Sequence, residues 1–457
     1  MPGFDRLSEL PESLITQILL CLPTKDSAKT SVLSTRWKNL WLNVPGLDLN
    51  RQDFRNVDKQ VFINIIDRFL EFNPESRLEK FKVNYSSREI IGFKDRISSA
   101  INRGIRLLDV VSSTQRRNDD GSLNPYIEFM PLNLFTSKTL VSLKLLYSVL
   151  EDPGFVSMPC VKFMILHKVR WSGTMNPEKL VSGCPGLEEL TLIRDMDEDK
   201  LVVAGVRSGS LKRFNVPSAH EPPRRSRFPN TLLEIDAPGL EYMALKQDQF
   251  GRFLVKNLTS LVMVDLDIKF IVTYDMSFDT KDLSKRNEIG DFLTGISRAR
   301  HMIISEKTVT ALDRYSKVGT IPKFNNISRL QAVFPSSLLS VLPAFLENFP
   351  NLKNLSLKIY FAKEEMEKRK LVDVPQCLVS TLECVEIKRL FEWEEEEMKI
   401  ASYFLENSAV LKKLIVSFVM DYPRRYASNS EVYEELNKLT KLSRRCRIII
   451  EEEEPAE

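Results

Sequence analysis

Glycine is scarce. The 457-residue chain holds 16, about half the usual share. Few glycines leave few backbones able to cradle a phosphate, and neither G-x-x-x-x-G-K-[ST] nor G-x-G-x-x-G occurs. A nucleotide-binding enzyme is therefore not expected. Histidine is scarcer still. His167, His220 and His301 stand far apart, with no H-E-x-x-H and no Cys/His pair at metal-ligand spacing. No G-x-S-x-G elbow is present, since Gly205-Val206-Arg207-Ser208-Gly209 places its serine one position late. The acidic runs at Glu392–Glu397 and Glu451–Glu454 read as solvated faces or tails. With no nucleophile, metal or phosphate motif, the reading is of a non-enzyme that needs no catalytic residue, metal or cofactor.

Other features are missing too. Cys21, Cys160, Cys184, Cys377, Cys384 and Cys446 form no C-x-x-C pair, which suits reduced thiols in a cytosolic or nuclear protein. Residues 1–10 lack the basic segment and apolar core of a signal peptide. No apolar run approaches the roughly 18 residues of a membrane-spanning helix. With 65 Lys plus Arg against 62 Asp plus Glu, the net charge is +3. That excess is too small for electrostatics alone to drive binding to nucleic acid or an anionic membrane, and neither is expected as a partner. The 43% apolar and 28% charged content is that of a folded chain.

What is present begins with helices. Leu14, Ile18 and Leu22 recur at i, i+4 and i+8, giving one apolar helical face. Pro11 suits the first turn of that helix and Pro23 stops it. Thr24 offers a cap for a second helix to about Leu33. Ser34 or Thr35 offers one for a third, carrying Trp37, Leu40 and Trp41. Three helices in under about fifty residues cannot bury all of these side chains, and leftover apolar surface points to a protein partner. Asp58–Phe72 reads as an amphipathic helix through Val61, Phe62, Ile65, Phe69 and Leu70. Thr114–Pro125 reads as a polar loop.

From Leu140 onward an L-x-x-L-x-L spacing recurs. It is carried by Leu140-Leu143-Leu145, Val161-Met164-Leu166, Leu187-Leu190-Leu192, Leu211-Phe214-Val216, Leu240-Met243-Leu245 and Leu258-Leu261-Met263. It continues in Ala299-Met302-Ile304, Ile327-Leu330-Ala332, Leu352-Leu355-Leu357, Leu382-Val385-Ile387 and Leu411-Leu414-Val416. A period of about 20 to 30 residues with this core is a leucine-rich repeat, one strand and a return segment per unit. The fold class expected is α/β: a short three-helix N-terminal module, then a curved parallel sheet with helical or irregular returns. Leu338–Asn348 and Glu394–Ala409 read as full return helices. Pro217–Asn230 and about Met276–Gly290 read as polar insertions.

The N-terminal residues resemble an F-box. The match runs through Asp5-Arg6-Leu7-Ser8-Glu9-Leu10-Pro11-Glu12-Ser13-Leu14-Ile15, Leu22-Pro23-Thr24-Lys25-Asp26 and Ser34-Thr35-Arg36-Trp37. Val374-Pro375-Gln376-Cys377-Leu378, Leu382 to Ile387 and Tyr403 to Leu414 are similar to an FBD domain. Together they resemble the plant F-box/FBD/LRR-repeat family. The resemblance implies an F-box over residues 1–48 and a helical linker with degenerate first repeats over 49–125. Leucine-rich repeats over 126–368, an FBD domain over 369–450 and an acidic tail over 451–457 follow.

It also implies a non-catalytic substrate-recognition subunit of an SCF-type ubiquitin ligase. The F-box would dock a Skp-family adaptor, and through it cullin and RING subunits, while the repeats hold a target protein. A non-ligase repeat scaffold and a small-molecule-dependent receptor are the alternatives. The expected location is nucleus, cytoplasm or both. The adaptor surface is expected at Leu10, Pro11, Leu14, Ile15, Ile18, Leu33, Trp37 and Trp41. Strand alternation sends the residues flanking the leucines outward, so the target surface is expected at Phe163, Ile165, His167, Ile193, Arg213, Tyr242 and Lys246.

Overall fold

The repeated spacing becomes a ladder of parallel strands. In a computed structural model, residues 9–72, 74–86, 90, 92–112, 128–194, 201–218, 231–246, 249–270, 283–360, 371–390, 395–419 and 429–453 are described. The chain divides into two compact units, one of residues 1–214 with 221–225, the other of 215–220 with 226–457. In the first, strands Gly46–Asn50, Lys80–Tyr85, Leu107–Ser112, Ser142–Leu146, Phe163–His167 and Glu189–Ile193 pair in that order, all parallel. In the second, the order is Tyr242–Lys246, Met263–Asp267, His301–Ile304, Arg329–Pro335, Asn354–Tyr360, Cys384–Leu390, Lys413–Val419 and Arg447–Glu453. This is the α/β leucine-rich-repeat architecture expected, preceded by a helical N-terminal module.

Inward positions make the core. Leu47, Phe81, Leu108, Leu143, Met164 and Leu190 are register partners in succession, and all are fully buried. Leu355, Val385 and Leu414 do the same in the second unit. Each such side chain contributes about 1.5–3 kcal/mol on burial. The ladder starts earlier than Leu140: Val44-Leu47-Leu49, Leu78-Phe81-Val83 and Ile105-Leu108-Val110 keep the same spacing and are buried. One repeat is in a different frame from that expected. Leu261, Val264 and Leu266 are the buried set, and Met263, expected inside, stands at an outward position. Leu258-Leu261-Met263 fits the spacing equally well, but the strand's pairing with its neighbours selects the later frame.

The helix expected at Asp58–Phe72 forms as Lys59–Glu71, with the Asp58 carboxylate accepting from the Gln60 N–H at 2.8 Å. Its first turn is satisfied by that cap. The helix at Glu394–Ala409 forms as Glu395–Asn407. The continuous helix expected at Leu338–Asn348 does not: a 3₁₀ stretch, Ser336–Val341, precedes a short α-helix, Leu342–Leu346. Pro343 is the reason. It has no N–H for an interior helical bond, so it fits only an α-helix that begins beside it. The insertion expected over Met276–Gly290 ends inside a helix, Leu283–Gly295. The loop at Thr114–Pro125 and most of Pro217–Asn230 lie outside the described residues.

Candidate functional site

Two short helices, Glu12–Leu20 and Thr24–Lys29, open the first unit. Pro11 stands just ahead of the first, where its carbonyl accepts from the Leu14 and Ile15 N–H groups at 2.9 and 3.2 Å. Thr24 does not cap the second helix. Its hydroxyl accepts from the Asp48 N–H at 2.8 Å and ties the module to the first strand. Gly46 permits the same approach: a β-carbon there would lie 2.6 Å from Leu20 Cδ1. The third α-helix expected around Trp37 is absent. Asn39 adopts a left-handed conformation, φ 67°, so the chain runs through turns into a 3₁₀ segment, Leu40–Asn43. A residue in that conformation cannot sit inside a right-handed helix.

The module has an inner and an outer apolar set. Ile15, Leu19, Trp37, Leu40 and Val44 form one buried cluster, with Leu10 and Leu20 packed against it. Three residues expected on the outer face are therefore inside: Ile15, Trp37 and Trp41 are all buried. Turning the Ile15/Leu19 side of the helix inward gives the indole of Trp37 something to pack on. Local spacing alone does not reveal that choice. The remaining set lies outside. Leu14 is 44% and Ile18 45% exposed, Leu33 and Pro11 are exposed, and Leu10 is half-buried. Leu22 and Val32, absent from the expected set, are also exposed, Val32 to 87%. For Leu22 the i, i+4, i+8 stripe was the available signal. Arg36 braces the margin by donating to the Leu10 carbonyl at 2.5 Å.

The outward positions of the strands are the second surface. In the first unit Phe163 is 42% exposed, and Ile165 beside it is also exposed. His167 is half-buried against Tyr147, with ring centroids 5.8 Å apart. Ile193 is buried, contrary to expectation. The chain turns at Lys168, φ 52°, and the Lys168 N–H donates to the Ile193 carbonyl at 2.6 Å, closing that strand end. Arg213 is exposed, with Nε 3.8 Å from a Glu189 carboxylate oxygen. In the second unit Tyr242 is half-buried, and Lys246 lies 2.8 Å from Asp265, whose hydrogen bond raises the lysine pKa. So Arg213 and Lys246, the arginine and lysine of the expected target surface, already have carboxylate partners.

Sequence reasoning missed a charge row. Asp48, Lys82, Asp109, Lys144 and Ile165 are successive register partners. Asp48 lies 3.2 Å from Lys80 and 3.6 Å from Lys82, and Asp109 lies 3.4 Å from Lys144. Asp109 is only 8% exposed, and burial raises its pKa against the opposing pull of Lys144. The thiols offer no reactive centre among buried positions: burial pushes Cys184 and Cys377 up to about 12. All six cysteines are free. Among the described residues no group of three or more His, Cys, Asp or Glu is placed to hold a metal ion, and no helix is long and apolar enough to cross a membrane.

Fold and surfaces together define a leucine-rich-repeat protein headed by a small helical module with an uncovered apolar stripe. Comparison with known proteins gives the class its name. The F-box domain family matches residues 7–48 and the FBD family residues 370–416. An FBD-associated F-box protein of Arabidopsis thaliana is 71% identical, over 99% of this chain and 100% of its own. An F-box/FBD/LRR-repeat protein of the same plant is 68% identical over 98% of each chain, and another named putative is 47% identical over 98% of this chain. The chain belongs to the F-box/FBD/LRR-repeat family. Its FBD match falls on two consecutive turns of the ladder, with strands Cys384–Leu390 and Lys413–Val419 and helices Gln376–Ser380 and Glu395–Asn407.

Proposed function

We propose that this chain is a substrate-recognition subunit of an SCF-type ubiquitin ligase. Its F-box docks a Skp-family adaptor, and through it cullin and RING subunits, while the outward face of the repeats holds a target protein. The observation that carries the reading is the F-box surface: Leu14, Ile18, Leu22, Val32 and Leu33 are exposed on a module whose core is already complete behind them. Pro11 and Leu10 stand at the start of the same helix. The chain contributes position rather than chemistry, and it acts in the nucleus, the cytoplasm or both.

The structure sharpens the choice of variant. Ile15 and Trp37 are poor probes because truncating them would unfold the module. Leu14→Asp with Ile18→Asp touches exposed side chains only. Interface anchors of this kind lose about 2 kcal/mol or more each on truncation. The double variant should lose capture of a Skp-family adaptor in a pull-down while the melting temperature holds. Full capture by that variant would falsify the docking surface. Failure of the unaltered chain to capture any Skp-family adaptor would leave a repeat scaffold without a ligase.

A further inference from the structure

In the second unit the first outward row runs His301, Arg329, Asn354, Cys384, Lys413 and Arg447, each the register partner of the next. Arg329, Lys413 and Arg447 are exposed. None of the three has an ion pair or side-chain hydrogen bond among the described residues. Lys413 and Arg447 are neighbours on adjacent strands. Like charges side by side on adjacent strands destabilise a sheet. The row's own field is visible at His301, whose pKa is lowered by burial and then by Arg329 and Arg300.

The carboxylates nearby are engaged or set back. Glu386, one row on, lies 3.2 Å from Lys388. Glu383, just before its strand, lies 2.8 Å from Lys412. Glu451 stands four positions along the strand from Arg447, and it and Glu386 reach only the middle of the row, where after burial they raise the Cys384 pKa against the pull of Lys413. The equivalent cation in the first unit, Lys80, lies 3.2 Å from Asp48. Among the described residues Arg329, Lys413 and Arg447 thus stand in one row with no carboxylate partner.

We propose that this row binds an acidic segment of the target protein, an extended polypeptide laid across the strands with its Asp and Glu carboxylates on Arg329, Lys413 and Arg447. The inference rests on the substrate-receptor reading and deepens it by naming the class of segment held. The dimensions suit it. Strands lie about 4.8 Å apart, so Arg329 and Lys413, three strands apart, are separated by about 14 Å. An extended peptide advances about 3.4 Å per residue, so carboxylates at i and i+4 span the same distance. Arginine presents a planar fork that matches a carboxylate with two parallel hydrogen bonds, and lysine a point charge that tolerates more angles. Between them the Asn354 amide can both donate to and accept from the peptide backbone.

The test uses the full chain and a fluorescein-labelled peptide of about ten residues with glutamate at every fourth position, read by anisotropy at about 0.15 M salt. Arg329→Glu with Lys413→Glu should weaken binding by about tenfold or more. Replacing the peptide's glutamates by glutamine should do the same. Should the charge reversal lower the melting temperature, Arg329→Gln with Lys413→Gln decides the matter. Affinity unchanged by that neutral pair, or by the glutamine peptide, overturns the proposal. So does tighter binding of a phosphoserine peptide or of single-stranded DNA than of the glutamate peptide. Adaptor capture is scored separately on the same variants. Retained capture with lost peptide binding supports this row as the peptide site. Peptide binding by a chain that never captures an adaptor supports the row and overturns the ligase reading instead.

Discussion

The two units share an inward plan and differ outward. In the first, the second outward row alternates in sign, Asp48, Lys82, Asp109, Lys144, so neighbouring strands attract, and Ile165 follows as an exposed apolar side chain with Phe163 beside it in the first row. In the second, the first outward row sets like charges side by side at Lys413 and Arg447, and among the described residues leaves Arg329 without an ion pair beside His301. Inward, both rows are aliphatic or aromatic and buried. The lesson is a division of labour. Packing dictates what points in, because any polar group there would be desolvated. Nothing in the repeat dictates what points out, so that face is where two stretches of one architecture acquire different chemistry.

The largest effects should therefore be the ones that do not distinguish the units. Phe81→Ala in the first should cost about 3–5 kcal/mol, and Leu355→Ala in the second about 2–5 kcal/mol. Both side chains are fully buried between register partners. Denaturant unfolding, followed with separate probes in each unit, measures both. A loss below about 1 kcal/mol at either site would break the claim that the inward rows are equivalent.

A middle-sized effect should separate the units. Lys144→Met leaves the buried Asp109 carboxylate without its hydrogen-bond partner, and removing a partner from a buried polar group costs about 1–3 kcal/mol. Lys413→Met removes a cation that stands beside Arg447 and has no acid to lose, so stability should stay within about 0.5 kcal/mol or rise. Equal losses for the two lysines would contradict the contrast between a neutralised face and a bare one.

How much of this was legible in the sequence follows from the same division. Where the inward residues are leucines, as at Leu187-Leu190-Leu192, the spacing alone placed the strand. Leu78-Phe81-Val83 repeats the residue types and spacing of Leu211-Phe214-Val216, so the early units are as legible as the later ones, although only degenerate repeats are expected over 49–125. Leu258, Leu261, Met263, Val264 and Leu266 satisfy two frames at once, and the neighbouring strands make the choice. The F-box shows the other limit. The stripe at Leu14, Ile18 and Leu22 was readable because helical periodicity groups it. Whether Ile15 and Trp37 pack inward depends on the left-handed turn at Asn39 and on the partner elements, which no local pattern encodes. The outward charge rows were illegible for a further reason: they exist only across register, between residues such as Lys82 and Asp109 that are distant in sequence.

The smallest effect probes the two faces by pH. His301 has a native pKa lowered from its ordinary 6.5, by burial first and by Arg329 and Arg300 after it. The unfolded chain then takes up a proton at a higher pH than the folded one. Stability therefore rises with pH across the window between the lowered value and about 6.5, and falls as acid protonates the unfolded imidazole first. Asp109 has the opposite sign. Burial raises its pKa from 3.8, the folded chain holds the proton more tightly, and its contribution is lost as pH rises through the raised value. Histidine is the side chain whose ordinary pKa falls between about pH 7.5 and 5.5, so a substitution at His301 isolates its share. His301→Gln should flatten part of the wild-type decline in melting temperature over that range, because glutamine binds no proton in either the folded or the unfolded chain. Asp109→Asn should alter the profile only at lower pH. Parallel profiles for the wild type and His301→Gln from about pH 7.5 to 5.5 would show that neither burial nor the neighbouring arginines lower this imidazole's pKa. The contrast between the two faces would then reduce to a difference in pairing alone.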